Sequence, residues 1–405
     1  MKVTSIDLTF HDVPFTPHAN QYLQYWIPHW RISQICRIGF DNGITGIGET
    51  IQNYTYCRVP DDIEDRILGR KAAQLMWDDE LGAGVQIALF DGIAKYLDVP
   101  VYQLLGTKVR DWCPISWWTM DMPPEGWAEE CRQAVEAGYT STKTKARPWF
   151  DLNAAIQAVQ KVVPAGFHLD LDYNGSLVNA ANAVPHLKEL ERYEEVAMIE
   201  TPIPQDDIAG NQKIQAQINK PIAMHFGNPH IMTALKEDIT DGFVLNRGAS
   251  ENLSRAAICS KSNKPLWLQL TGTGVTTTWA THLGAVISPA TWPAITCVNI
   301  YQDKMIHPKL EVRAGDLRVP EAPGLGIELD QAQLDRTQVD YDFVDPPRHL
   351  LRYVRKSGEI TWYGCGQQKL RGVYALEAQP ISEKGARLEA VEDDGTKRFE
   401  ELYRE

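Results

Sequence analysis

Thr142-Lys143-Thr144-Lys145, Leu169-Asp170-Leu171-Asp172 and Met198-Ile199-Glu200 are short strand-like segments that each end on a charged side chain. Alternation along a strand puts Lys143 and Lys145 on one face, and Asp170 and Asp172 likewise. Four more segments follow in the same rhythm: Ile222-Ala223-Met224-His225, Val244-Leu245-Asn246, Leu268-Gln269-Leu270 and Val298-Asn299-Ile300. Their polar markers recur every 21 to 30 residues, enough for one strand, a loop, a helix and a second loop. The stretch after the first strand shows the intervening helix, with Asp151 as N-cap and Leu152, Ile156, Val159 and Val163 on one side. Seven such units predict a parallel βα array, which closes more naturally into a barrel than it extends as an open sheet. In a barrel the C-terminal strand ends share one face, so these polar residues would converge on one pocket.

On either side of the array the pattern changes. The first ~110 residues read as an α+β unit. Val3 to Phe10 and Arg31 to Phe40 are strand candidates, Asp41-Asn42-Gly43 is turn chemistry before Ile44 to Glu49, and Gly84 to Leu97 is helical. Beyond ~Pro308 the array stops. Pro320-Glu321-Ala322-Pro323-Gly324-Leu325-Gly326 is a turn-rich passage, and the tail reads as hairpins: Leu350 to Val354, a Ser357-Gly358 turn, Ile360 to Tyr363, and Gly372 to Leu376. The tail is expected to layer on the N-terminal unit and to carry no chemistry. Cys365 has no second ligand near it in sequence and is not read as a metal site.

Composition narrows the function. Across 405 residues, 40 basic against 53 acidic side chains give a net charge of −13, with no basic block to neutralise phosphates. No apolar run approaches the ~20 residues of a membrane span. Seven scattered cysteines without a C-x-x-C pair read as a reduced, cytoplasmic chain.

Two ammonium groups as close as Lys143 and Lys145 lower a pKa and leave one available as a base, unless they are simply exposed lysines of an edge strand. Asp172 and Glu200, at consecutive strand ends, make a hard oxygen pair suited to magnesium or manganese, or else ion-pair with the lysines. Asp170 sits deeper as a structural partner, and Asn174 would orient Asp172 or reach a metal's water shell.

The order Lys-x-Lys, Asp-x-Asn, Ile-Glu-Thr-Pro resembles the enolase superfamily, in its mandelate racemase and muconate lactonizing enzyme branch. Gly43 to Glu49, Ala88 to Ala94 with Val99 to Gly106, Ala137-Gly138-Tyr139 and Pro323 to Gly326 match as well, so the likeness spans most of the first ~330 residues. It implies an α/β fold: a modified TIM barrel under an α+β capping domain built from the N-terminal region and the C-terminal segment. The corresponding division is 1–112, 113–318 and 319–405. It also implies proton abstraction α to a carboxylate, with Lys145 as base, Lys143 on a substrate carboxylate oxygen, and a divalent ion stabilising the enediolate; enolase-superfamily sites are a standard example of that chemistry.

The chain departs from that pattern in two places. Where relatives carry a third acidic metal ligand, it reads Pro221-Ile222-Ala223-Met224-His225-Phe226. Phe226 fills the ligand position, and His225 is either a ligand favouring manganese or a hydrogen-bonding pocket histidine. Where racemases place a second base, it has Asn246, Arg247 and Gln269, none of which takes a proton at pH 7. The expected residues are therefore Lys143 and Lys145 for catalysis; Asp172, Glu200 and His225 for magnesium or manganese; and Asn174, Asn246, Arg247, Gln269, Tyr25 and Trp26 for substrate. Tyr25 and Trp26 belong to an aromatic lid at Asn20 to Trp30, with a second lid stretch at Gln52 to Cys57. His282 reads as a packed histidine, and His307 has no assigned place. Dehydration of a hydroxylated, sugar-type acid needs only one base and leads; epimerase or cycloisomerase activity follows, then an acid-binding barrel without turnover. A small carboxylate is the expected partner, with neither nucleic acid nor membrane, in a homo-oligomer.

Overall fold

The computed structural model describes residues 1–54, 57–364 and 380–404, which divide into two interleaved compact units. The first comprises Met1–Pro17, His29–Ser116 and Val244–Val344; the second comprises His18–Pro28, Trp117–Phe243 and Asp345–Glu405. The strand β4, Trp112–Thr119, carries the chain from one into the other.

The first unit opens with an antiparallel sheet of β1 (Val3–Asp12), β2 (Ile32–Phe40) and β3 (Thr45–Ile51). Gly46 and Gly48 of β3 have no side chain where the helix Ala83–Leu97 lies against them. A Cβ at either would stand about 2 Å from a carbonyl oxygen of that helix, that of Ala88 or Gly84. This close seat explains the glycine pattern seen in the sequence. Later in the unit, Gln269 donates its backbone N–H to Leu245 and bridges to Ile295, and Ala294–Ile295 pairs in parallel with Ile115 and Ser116. The strand expected at Val298-Asn299-Ile300 is thus displaced to Ala294–Ile295. Cys297 adopts the left-handed conformation and Val298–Ile300 winds into a 3-10 turn, which an extended strand cannot accommodate.

In the second unit β4 is followed by β5 (Ser141–Lys145), β6 (His168–Asp172), β7 (Val196–Glu200) and β8 (Ile222–His225), each pairing in parallel with the next. Helices Pro124–Glu136, Leu152–Val159, Ala180–Leu190 and Ile208–Gln215 fill the intervals, and Asp151 caps its helix as expected, accepting from Ala154. Leu169, Leu171 and Ile199 are buried and alternate with the acids. The α/β class with parallel βα units stands.

Residues 319–344 fall in the first unit and 345–404 in the second. There His349–Val354 pairs antiparallel with Ile360–Tyr363 and with Arg387–Glu392. The hairpin read around Ser357-Gly358 is present; Gly372 to Leu376 and Cys365 lie outside the described residues. The tail is fastened to the loop after β5: the Ser382 hydroxyl donates to the Phe150 carbonyl, and Asp151 accepts from the Gly385 N–H.

Candidate active site

Register alone assembles the charged cluster. Lys145 is the cross-strand partner of Asp172, and Asp172 is the partner of Glu200. Glu200 pairs with Ala223, so alternation returns His225, two residues on, to the same face. Lys143, Lys145, Asp172, Asn174, Glu200 and His225 are therefore brought together within the second unit, as their spacing predicts.

The contacts are close. Lys145 Nζ lies 2.5 Å from Asp172 Oδ2 and 3.0 Å from Asn174 Oδ1. Lys143 Nζ lies 2.5 Å from Glu200 Oε2 and 3.4 Å from Asp172 Oδ2. His225 Nε2 stands 3.1 Å from Glu200 Oε1. Asn174, at φ 47°, sits in the left-handed region that asparagine tolerates, and its N–H donates to Asp172 Oδ1 at 2.9 Å. Only 1% of the Lys143, Asp172 and Glu200 side chains is exposed, against 13% for Lys145 and 31% for His225.

One member was missed in the sequence. Arg147 is fully buried, donates to the Tyr173 carbonyl at 2.8 Å and to Asn174 Oδ1 at 2.7 Å, and so holds the loop that presents Asn174. Its signal was its position two residues past Lys145. Gln205 was also missed: its Oε1 accepts from the His225 backbone N–H and from the Thr201 hydroxyl.

Burial lowers the Lys145 pKa below its ordinary value; Lys143 and Arg147 push the same way, and Asp172 and Glu200 oppose without reversing it. Burial pushes Asp172 up, but Lys145, Lys143 and Arg147 outweigh it and hold the carboxyl well below the usual range. For Glu200, burial and Asp172 push up, and Lys143 with His225 prevail downwards. Asp170 is pushed up to about 7 by burial, with Lys143 opposing and Glu200 adding.

The remaining expected residues are described by the neighbours they have within their own units. Asn246 and Gln269 line a cavity of about 110 Å³ in the first unit with Glu49, Tyr54 and Trp279, and Gln269 Nε2 donates to the Tyr54 hydroxyl at 2.9 Å. Arg247 lines a separate depression with Cys57, Asp79 and Glu251. Tyr25 donates to Glu392 at 2.7 Å, and both Tyr25 and Trp26 pack on His349. Thr55 and Tyr56 of the second lid stretch lie outside the described residues. His282 is buried with Nε2 3.1 Å from the Leu325 carbonyl, the packed role expected of it. His307 pairs with Asp330 at 2.8 Å.

Parallel βα units with a lysine pair and acids on consecutive strand ends place the chain among βα proteins with an acid–base cluster at their strand ends. Residues 126–333 match the family model described as enolase C-terminal domain-like. The chain belongs to the mandelate racemase/muconate lactonizing enzyme branch of the enolase superfamily. It is 26% identical over 250 residues to an N-succinyl-L-Arg/Lys racemase of Bacillus cereus, a match that spans 56% of this chain and 66% of the racemase. It is 24% identical over 370 residues to a probable glucarate dehydratase of Streptomyces coelicolor, spanning 72% of this chain and 81% of the relative. Its fold resembles that of an enolase from Thermobispora bispora complexed with magnesium and formate, with a TM-score of 0.67 and 22% identity over 83% of this chain and 92% of that one. Among the described residues no helix is long and apolar enough to cross a membrane.

The family implies a divalent ion, and the donor set can be tested for it. Among the described residues no group of three His, Cys, Asp or Glu side chains is arranged to hold a metal. Magnesium wants near-octahedral oxygen ligands. Here Asp172 and Glu200 supply the carboxylates, while Phe226 at the third position packs its ring on Phe243, centroids 5.4 Å apart. His225 turns its Nε2 to Glu200. These residues do not make the three-ligand site that the family implies.

Proposed function

We propose that the chain abstracts the proton α to the carboxylate of a hydroxylated, sugar-type acid, with Lys145 as base, and then expels a β-hydroxyl. The α C–H bond breaks toward Lys145 Nζ and its electron pair passes into the carboxylate as an enediolate. The enediolate collapses to a C=C bond as the β C–O bond breaks, and the departing hydroxyl leaves as water with a proton from a pocket acid. His225, the most exposed titratable member of the cluster, is the candidate for that acid. Asn174, Asn246, Arg247, Gln269, Tyr25 and Trp26 would contact the substrate, and a homo-oligomer in the cytoplasm would be the working form.

The observation that carries this reading is the asymmetry of the two lysines. Lys145 is the accessible one and its pKa is lowered, which favours the free amine a base requires. Dehydration is favoured over racemisation because the amides Asn246 and Gln269 offer no second base. The racemase and dehydratase among the relatives keep epimerisation or cycloisomerisation as the second reading.

The test is NMR in deuterium oxide with a panel of acid sugars, comparing wild type with Lys145→Ala. Loss of the α-proton signal with wild type only, accompanied by a 2-keto product, is the expected result. Exchange without a keto product would favour an isomerase. If no panel member exchanges, the acid-binding barrel takes precedence.

A further inference from the structure

We propose that the Lys143 ammonium occupies the place of a divalent cation: bridging Asp172 and Glu200, it supplies the fixed positive charge of the site, which does not take up magnesium or manganese. The catalytic half of this proposal rests on the proton-abstraction reading; the binding half does not.

Three observations carry it. The first is that both carboxylates already stand in ion pairs, although the two Glu200 oxygens accept no hydrogen bond among the described residues. Asp172 Oδ1 takes the Asn174 N–H and Oδ2 faces both lysines; Glu200 Oε2 faces Lys143 and Oε1 faces His225. An incoming ion would have to expel an ammonium held at 2.5 Å and 1% exposed. The second is the third position, where the Phe226 ring on Phe243 offers no electron pair. The third is charge. Lys143 and Arg147 are two cations set against Asp172 and Glu200, so the two carboxylates are already matched with Lys145 as the free amine. A site that recruits a doubly charged ion needs a surplus of carboxylate, because two positive charges at contact distance repel strongly in a buried medium. Lys143 meets the same need without an ion: it is a buried, preorganised positive charge beside the place where the enediolate would form.

The proposal also revises the role expected of Lys143. A side chain 1% exposed and committed to two carboxylates is poorly available to hold a substrate oxygen.

The test is titration of the full chain with Mn²⁺, followed by electron paramagnetic resonance of the free ion. Wild type is expected to show no saturable binding up to about 1 mM, a ceiling that corresponds to negligible affinity. Weak binding that Asp172→Asn leaves unchanged lies elsewhere and agrees with the proposal. One equivalent of Mn²⁺ bound by wild type and lost in Asp172→Asn overturns it. Lys143→Met frees both carboxylates and should tighten Mn²⁺ binding by at least about tenfold. Should that variant fail to fold by circular dichroism, Lys143→Gln, which removes the ammonium but keeps a polar side chain, should show the same gain. No gain in a folded variant overturns the claim that Lys143 is what holds the place. Exchange of the α-proton should persist at full rate in EDTA. Exchange lost in EDTA and restored by Mg²⁺ overturns the proposal while leaving proton abstraction intact. Absence of exchange under both conditions sinks the proton-abstraction reading, and the Mn²⁺ titration still decides this one.

Discussion

The two units differ at their strand ends. In the second, β5 to β7 end on charged side chains and β8 on His225, and Asp172 and Glu200 are met by lysine, arginine and histidine. In the first, Asn246 and Gln269 are neutral amides, and the buried Glu49 accepts from the Ser33 hydroxyl and the N–H groups of Thr273 and Thr276. Cationic partners keep acids ionised and, in the same act, push a neighbouring amine toward its neutral form. N–H and hydroxyl partners stabilise a charge but move no proton. The contrast teaches that the charged strand-end cluster lies in the second unit, and that the strand-end amides of the first offer hydrogen bonds but no proton acceptor at neutral pH.

The sharpest way to break that contrast is at Lys145. Lys145→Ala should lower α-proton exchange by about 10³-fold or more, within the usual range for loss of a general base. A residual rate within tenfold of wild type would mean that the base lies elsewhere. Wild-type activity should fall as pH drops below the Lys145 pKa, because protonation removes the free amine.

A second comparison lies inside the second unit. Glu130 is buried like Asp172, yet its close partner is the Trp117 indole N–H at 2.6 Å, with His18 3.8 Å away. Burial pushes its carboxyl up to about 7, the indole opposing and Glu129 adding. The folded state therefore holds its proton more tightly than the unfolded chain. This contribution to stability is complete below about 4.5 and is lost as pH rises through about 7, amounting to at most about 3 kcal/mol. Urea unfolding between pH 5 and 8 should show this decline, and Glu130→Gln should flatten it. An unchanged slope in the variant would show that the acid titrates normally.

Much of this cluster was legible because strand alternation and unit spacing are one-dimensional signals. Lys143, Lys145, Asp172 and Glu200 fall in register as their positions imply. Arg147 was legible only as a third basic residue in step with Lys143 and Lys145: its burial depends on carbonyls of the Tyr173 loop, a tertiary arrangement that no local pattern encodes. The strand at Ala294–Ile295 was misread by a few residues because Val298-Asn299-Ile300 has the apolar–polar look of a strand end, while the left-handed Cys297 that bends it has no composition signal. The tail's attachment through Ser382 and Gly385 was equally hidden, since a hydroxyl and a turn glycine look alike on any surface.

Arg147 also offers a graded test of the contrast. Arg147→Met removes a cation that lowers the Lys145 pKa and releases the Asn174 loop. Exchange should fall by about 10- to 100-fold from misplacement, and the acid limb of the pH–rate profile should move to higher pH. A purely structural role would lower the rate without moving that limb.

The smallest effect is expected in the first unit, where an amide that only orients should change binding and not chemistry. Gln269→Ala removes the donor to Tyr54 and, on the proposed reading, a substrate contact. KM should rise by less than about tenfold, while exchange at saturating substrate stays within about threefold of wild type. A large fall in kcat with unchanged KM would place Gln269 in the chemical step and erase the distinction between the two units. Gln269→Glu sharpens the same point, because it adds the proton acceptor that the amide lacks. If the first unit can be made reactive, this variant should begin to exchange the α-proton of the opposite stereoisomer, which the wild type leaves untouched.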